Sequence, residues 1–106
     1  MTDHKGYELV EIARKSGKIK KGTNEVTKFL ERGTALAVVY AGDVNPKEIV
    51  MHLPLLAKEK GILCIEVPNK EELGAAAGLT KPTAAVVILD AGDAKSMLKE
   101  WNNGKL

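Results

Sequence analysis

The stretch from Ala35 to Val67, ALAVVYAGDVNPKEIVMHLPLLAKEKGILCIEV, decides the fold. It opens with a nearly continuous apolar run, Ala35 to Tyr40, and closes with a second, Ile62 to Val67. Short apolar runs of this kind predict strands covered on both faces. Between them Ile49, Val50, Leu53 and Leu56 fall at helical spacing, so the unit reads strand, helix, strand. Asn45 is placed to cap the helix, Pro46 suits its first turn, and Glu48 completes a capping-box spacing. Pro54 lacks the amide hydrogen a helix interior needs. The expectation is therefore a short helix, a kink, and a second short helix ending at Gly61.

Working outward, the same alternation continues. Leu9, Ile12 and Ala13 give a helix over Tyr7 to Lys15, which Gly17 is expected to stop in the left-handed conformation. Lys18-Ile19-Lys20 reads as a short edge strand, its lysines discouraging wrong pairing. Gly22-Thr23 opens a helix with Val26, Phe29 and Leu30 on its buried stripe and Gly33 at its end. On the other side, Asn69-Lys70-Glu71-Glu72 repeats the capping pattern before a small helix through Leu73 and Ala77. Leu79-Thr80-Lys81-Pro82-Thr83 is a loop, and Ala84 to Leu89 is the most apolar strand. Asp93 can cap a last helix whose inward face is Met97, Leu98 and Trp101. Alternating helices and buried strands predict an α/β fold: a three-layer α/β/α sandwich around a small mixed, mostly buried sheet. At 106 residues, 44% of them hydrophobic, the chain has material for one core, so residues 1–106 are read as a single domain.

The chemistry available is limited. One cysteine, Cys64, and two histidines cannot build a structural zinc site or an internal disulfide. Asp43, Asp90 and Asp93 follow strands but lack the spacing of a magnesium motif, and read as turn and cap residues. The glycines form neither a dinucleotide fingerprint nor a Walker loop. Gly74-Ala-Ala-Ala-Gly78 reads as a closely packed helix with its stop. Cys64 falls in a buried strand, His4 at the terminus, and His52 reads as a polar group satisfied by backbone. No catalytic residue, metal or cofactor is expected. No apolar run reaches the roughly 20 residues of a membrane helix, and the N-terminus lacks a signal peptide's apolar stretch. Cytoplasmic residence without membrane association is the expectation.

Charge is localised even though the net value is only +2. Arg14 to Arg32 holds Arg14, Lys15, Lys18, Lys20, Lys21, Lys28 and Arg32 against Glu25 and Glu31, a balance of +5 that leaves −3 for the rest. Such a block favours a polyanion. Within it, Asn24, Lys28 and Arg32 recur every fourth residue and stack along one helical face. Asn24 can donate and accept at a base edge, and Lys28 offers a charged donor to guanine. Glu25 is repelled by phosphate but can accept from an exocyclic amine or ring imino group, so beside bases it has a use. The helix start also exposes backbone amides able to hold a phosphate. The same spacing also fits an ordinary amphipathic surface helix.

The run Ser16-Gly17-Lys18-Ile19-Lys20-Lys21-Gly22-Thr23-Asn24-Glu25-Val26-Thr27-Lys28, with Glu31-Arg32-Gly33, closely resembles the kink-turn-binding ribosomal protein family of archaeal type. Ala41-Gly42-Asp43-Val44-Asn45-Pro46, His52-Leu53-Pro54-Leu55-Leu56 and Lys70-Glu71-Glu72-Leu73-Gly74 match in order, so the resemblance spans about residues 7 to 101. It implies a non-catalytic, monomeric RNA binder of the large ribosomal subunit that also serves box C/D and H/ACA ribonucleoproteins and ribonuclease P. The implied partners are kink-turns in ribosomal RNA, guide RNA and ribonuclease P RNA, together with other ribonucleoprotein proteins. Asn24, Glu25 and Lys28 would contact tandem sheared G·A pairs, with Gly22 and Thr23 at the close-approach turn. Lys20, Lys21 and Arg32 would meet phosphates. Ile49 and Lys70 match positions around the flipped-out bulge nucleotide. In the second RNA-facing loop, containing Thr80, Leu79 would offer an apolar surface to a base and Lys81 a phosphate contact.

Three features depart from the family pattern. Asn45 stands where an acidic residue is usual, Thr80-Lys81 replaces an acidic-apolar pair, and the first helix is short. Two rivals remain on sequence: the accessory domain of an RNA-modifying complex, and a protein-interaction module using the apolar surface near Leu79 and Val44.

Overall fold

The computed structural model describes residues 5–45 and 47–96, with Lys5 and Ile49 described by their backbone alone. Of the expected last helix only the start, Lys95 and Ser96, is described; Met97, Leu98 and Trp101 lie outside the described residues, as do His4 and Pro46. The elements are α1 (Lys5–Ser16), β1 (Lys18–Lys21), α2 (Thr23–Arg32), β2 (Ala37–Ala41), α3 (Glu48–Lys60), β3 (Leu63–Val67), α4 (Lys70–Ala76) and β4 (Ala85–Asp90). A 3-10 turn, Gly92–Ala94, follows and contains Asp93.

The four strands form one mixed sheet in the order β1-β4-β2-β3. β2 and β3 are parallel, joined by α3, while β4 runs antiparallel to β2 on one side and to β1 on the other. Helices α1 and α4 pack together on the sheet, and α2 and α3 pack together as a second pair, giving the three-layer sandwich. Its core joins Leu9, Val10 and Leu73 of the first pair, Val26, Leu30 and Leu53 of the second, and the sheet residues Val38, Val39, Val86, Val87 and Ile88, all fully buried. Each such aliphatic side chain contributes about 1.5–3 kcal/mol by leaving water. Among the described residues no buried side-chain nitrogen or oxygen lacks a hydrogen-bond partner.

Four local expectations are corrected. Gly17 does end α1, its N–H donating to Ala13 O at 2.8 Å, but it is not among the positive-φ glycines. It is required because a Cβ there would overlap the Asp90 carbonyl and sit 2.9 Å from Gly92 N. Helix α3 begins at Glu48 behind Lys47, which makes no side-chain cap, so Asn45 lies outside the helix as an exposed bend residue. Pro54 does not divide α3, which runs unbroken to Lys60. Val50, Leu53 and Ala57, all buried, fasten both halves to the core. That burial outweighs the roughly 3 kcal/mol a helical proline costs. Phe29 is half-buried rather than fully buried: it packs against the core, with Lys28 Nζ 6.0 Å and Arg32 Cζ 5.8 Å from its ring centroid. The two cations flank the part of the ring that the core leaves uncovered.

Candidate nucleic-acid interface

Topology gathers the expected site. The parallel pair β2 and β3 ends at Ala41 and Val67, the register partners at one end of the sheet. Antiparallel β4 begins at that end, with Ala85 opposite Tyr40, and β1 finishes there, with Lys21 opposite Val86. The start of α2, the loop after β2, the start of α4 and the loop before β4 therefore share one rim. Backbone bonds close it: Gly22 N to Ala85 O (3.0 Å), Ala41 N to Ala84 O (2.9 Å), Gly42 N to Val67 O (2.8 Å) and Thr83 N to Lys70 O (3.1 Å). Asp43 Oδ1 accepts from Lys70 N at 2.9 Å, joining the loop of Asn45 to the first turn of α4. This is the structural role assigned to Asp43 from sequence.

The rim brings together residues far apart in the chain. Lys20 and Lys21 are exposed on the edge strand β1. Gly22 is the N-cap of α2 at φ 97°, which a side chain would strain, and it offers no side-chain cap. Asn24, Lys28 and Arg32 are exposed along α2, and Thr23 and Glu25 are half-buried in its first turn. Across the rim lie exposed Asn45, Thr80 and Lys81 and half-buried Lys70 and Leu79. The backbone of Ile49 lies in the first turn of α3. Val44 is buried, which removes it from the protein-docking surface offered as a rival.

The supporting layer is built from α1 and α4. Asn69 caps α4 as expected, its Oδ1 accepting from Glu72 N at 2.9 Å. The Tyr7 hydroxyl accepts from Asn69 N at 2.8 Å and donates to Asn69 O at 3.2 Å. Burial is the chief cause raising the Tyr7 phenol above its ordinary range. At the other end of α4, Arg14 Nε donates to Ala76 O at 3.2 Å. Gly74 presses against the Lys81 carbonyl, and Leu79 N donates to Gly74 O at 2.9 Å, so α4 seats the 79–83 loop.

Sequence reasoning missed the groove beside α2. Asn24 and Lys28 line an open groove of about 460 Å³ with Thr23, Thr27 and Glu31 of α2 and Glu48 and His52 of α3. His52 is satisfied there by a side chain, not by backbone: its Nε2 lies 2.7 Å from Thr27 Oγ1. Thr27 also donates to Thr23 O at 2.8 Å. The Thr23-to-Thr27 spacing was visible in the sequence, but no local signal pointed to His52, 25 residues further on.

Two further titratable groups are shifted. The Cys64 thiol is pushed up to about 12, first by burial and then by the Glu66 carboxylate, which leaves it a poor nucleophile. The Tyr40 phenol, also pushed up to about 12 by burial and then Glu66, donates to Glu66 Oε1 at 3.2 Å. Among the described residues no three His, Cys, Asp or Glu side chains form a group able to hold a metal. No helix of the described residues is long and apolar enough to cross a membrane.

An α/β/α sandwich with exposed lysines leading into an uncapped helix start, beside two loops and the start of α4 on one rim, defines a small binding domain. The chain belongs to the ribosomal protein L7Ae/L30e/S12e/Gadd45 family, whose pattern matches residues 4–98. It is similar to large ribosomal subunit protein eL8 of Methanobrevibacter smithii, at 57% identity over 93 residues covering 88% of this chain and 76% of that one. Its fold is similar to that of the Giardia lamblia 15.5kD RNA binding protein. There the TM-score is 0.84 and the identity 32%, over 99% of this chain and 90% of that one. By this kinship the chain is not an enzyme.

Proposed function

We propose that the chain is a cytoplasmic RNA-binding protein that recognises kink-turns through tandem sheared G·A pairs and a bulged nucleotide. On this reading it acts as one unit in the large ribosomal subunit, with guide ribonucleoproteins and ribonuclease P as further settings. The observation that carries the reading is the meeting of Asn24, Glu25 and Lys28, at an uncapped helix start, with Asn45, Lys70 and the 79–83 loop on one rim. The relatives support it: one is a ribosomal protein and one an RNA-binding protein.

The mechanism is differential binding. A kink-turn exchanges between extended and bent forms, and a rim that fits only the bent form shifts the population toward it. Asn24, Glu25 and Lys28 read base edges, Gly22 and Thr23 allow close approach, and Lys20, Lys21 and Arg32 meet phosphates. Ile49 and Lys70 enclose the bulge nucleotide, while Leu79, Thr80 and Lys81 contact the strand beyond it. The test is titration of a kink-turn RNA labelled for fluorescence transfer, without Mg²⁺. Bending at saturating protein is expected, and an RNA that stays extended refutes the reading. Glu25→Ala should weaken kink-turn binding by about 1–3 kcal/mol and leave plain duplex binding unchanged.

A further inference from the structure

Two hydrogen bonds on one hydroxyl fix a proton assignment. Thr27 Oγ1 lies 2.8 Å from Thr23 O and 2.7 Å from His52 Nε2. The hydroxyl has one proton, and the Thr23 carbonyl can only accept. If Thr27 gave its proton to His52, two oxygens would face each other at 2.8 Å with no hydrogen between them. Both contacts are satisfied only when Thr27 donates to Thr23 O and accepts from a protonated His52 Nε2. The result is a directed relay from α3 into the first turn of α2: Nε2–H to Oγ1, Oγ1–H to the Thr23 carbonyl.

That turn needs such support. Gly22 provides no side-chain cap, so the first amides of α2 are left open for a ligand and the helix start is prone to fray. Asn24 and Glu25 sit in this turn. His52 itself is half-buried in the groove wall, on a helix whose Val50 and Leu53 are fastened in the core. It is therefore a rigid post for a turn that has no cap of its own.

We propose that His52 is a positioning residue that holds the first turn of α2 in its RNA-reading geometry through the Thr27 hydroxyl. This rests on the RNA-binding reading above. The relay is set apart from general stability by what should rescue it. A glutamine amide nitrogen stands at the same bond count from Cβ as His52 Nε2, so Gln can still donate to Thr27, whereas Leu cannot.

The experiment compares His52→Leu, His52→Gln and Thr27→Val in two measurements. The first is hydrogen exchange of the Val26 amide, which closes the first turn of α2 by donating to Gly22 O at 3.0 Å, in RNA-free protein. Loss of the relay should speed it roughly five- to tenfold in His52→Leu and Thr27→Val, with His52→Gln close to wild type. The second is affinity for a kink-turn RNA. His52→Leu should weaken it roughly five- to tenfold, and combining His52→Leu with Glu25→Ala should weaken it by less than the product of the two. Should His52→Leu fail to fold, Thr27→Val decides, since it keeps the shape and removes only the hydroxyl. Unchanged exchange in Thr27→Val, or no rescue by His52→Gln, overturns the proposal. If wild-type protein leaves kink-turn RNA unbound while exchange behaves as described, it is the RNA-binding reading that fails.

Discussion

Replacing Gly74 with alanine sets two physical effects against each other. Helix propensity alone favours alanine in a helix interior by about 1 kcal/mol. The structure predicts the opposite sign. A Cβ at residue 74 would overlap the Lys81 carbonyl oxygen and stand 3.0 Å from Pro82 Cα, so it meets main chain rather than a yielding side chain. To restore ordinary contact of about 3.3 Å the 79–83 loop must move off α4 by roughly 1 Å. Two backbone bonds hold it there, Leu79 N to Gly74 O at 2.9 Å and Thr83 N to Lys70 O at 3.1 Å. Each contributes about 1 kcal/mol net. Overpacking adds about 1–3 kcal/mol. After subtracting the propensity gain, Gly74→Ala should destabilise the protein by about 2–4 kcal/mol, lowering the melting temperature by about 10–30 °C. Urea and thermal denaturation followed by circular dichroism read both quantities. A variant as stable as wild type, or more so, refutes the argument that close approach outranks propensity here. Because the same loop borders the candidate interface, the variant should also bind kink-turn RNA more weakly.

Other outcomes follow from the same structure. Cys64 and Tyr40 have folded-state values near 12 against ordinary values of 9.0 and 10.0. A raised folded value leaves stability intact below the ordinary one and erodes it as pH climbs toward the folded one. Unfolding free energy should therefore fall from about pH 9 upward, with Cys64 contributing about 2 kcal/mol between pH 9 and 11. Denaturation of Cys64→Ala across this range should show a shallower decline, and an identical slope would contradict the assignment to Cys64. Lys20→Ala should weaken plain and kinked RNA alike and reduce the slope of log affinity against log salt by about 1. A selective loss for kinked RNA would instead make Lys20 a base reader.

The order and type of elements from Tyr7 to Leu89 were readable because buried strands and amphipathic helices have different periods. The Asn69 cap was readable because its chemistry is local: acceptor and donor are three residues apart. The Asn45 cap failed for the same kind of spacing, since a capping pattern fixes where a helix can start and not where packing makes it start. Pro54 misled because the missing hydrogen bond is local while the compensating burial of Leu53 and Ala57 is tertiary. At the candidate interface, helical spacing placed Asn24, Lys28 and Arg32 on one face with Glu25 beside them, a pattern an ordinary surface helix shares, and the family resemblance singled them out. Asn45, Ile49, Lys70, Leu79, Thr80 and Lys81 could not be picked from spacing, because only the strand order brings their loops to the start of α2. The tie between Thr27 and His52 crosses two helices, and no periodicity encodes it.

The sheet has one further consequence, for the time at which the chain becomes competent during synthesis. Its inner strand β4 is the last to be translated, and it pairs with both β1 and β2. Gly22, which starts α2, is bonded to Ala85 at the head of that strand. A nascent polypeptide halted before residue 85 has a lysine edge without a neighbour and a recognition helix without a floor. On the RNA-binding reading, capture of RNA is thereby postponed until β4 has emerged from the exit tunnel, which guards a basic segment against premature entanglement with the nucleic acid that surrounds its birthplace.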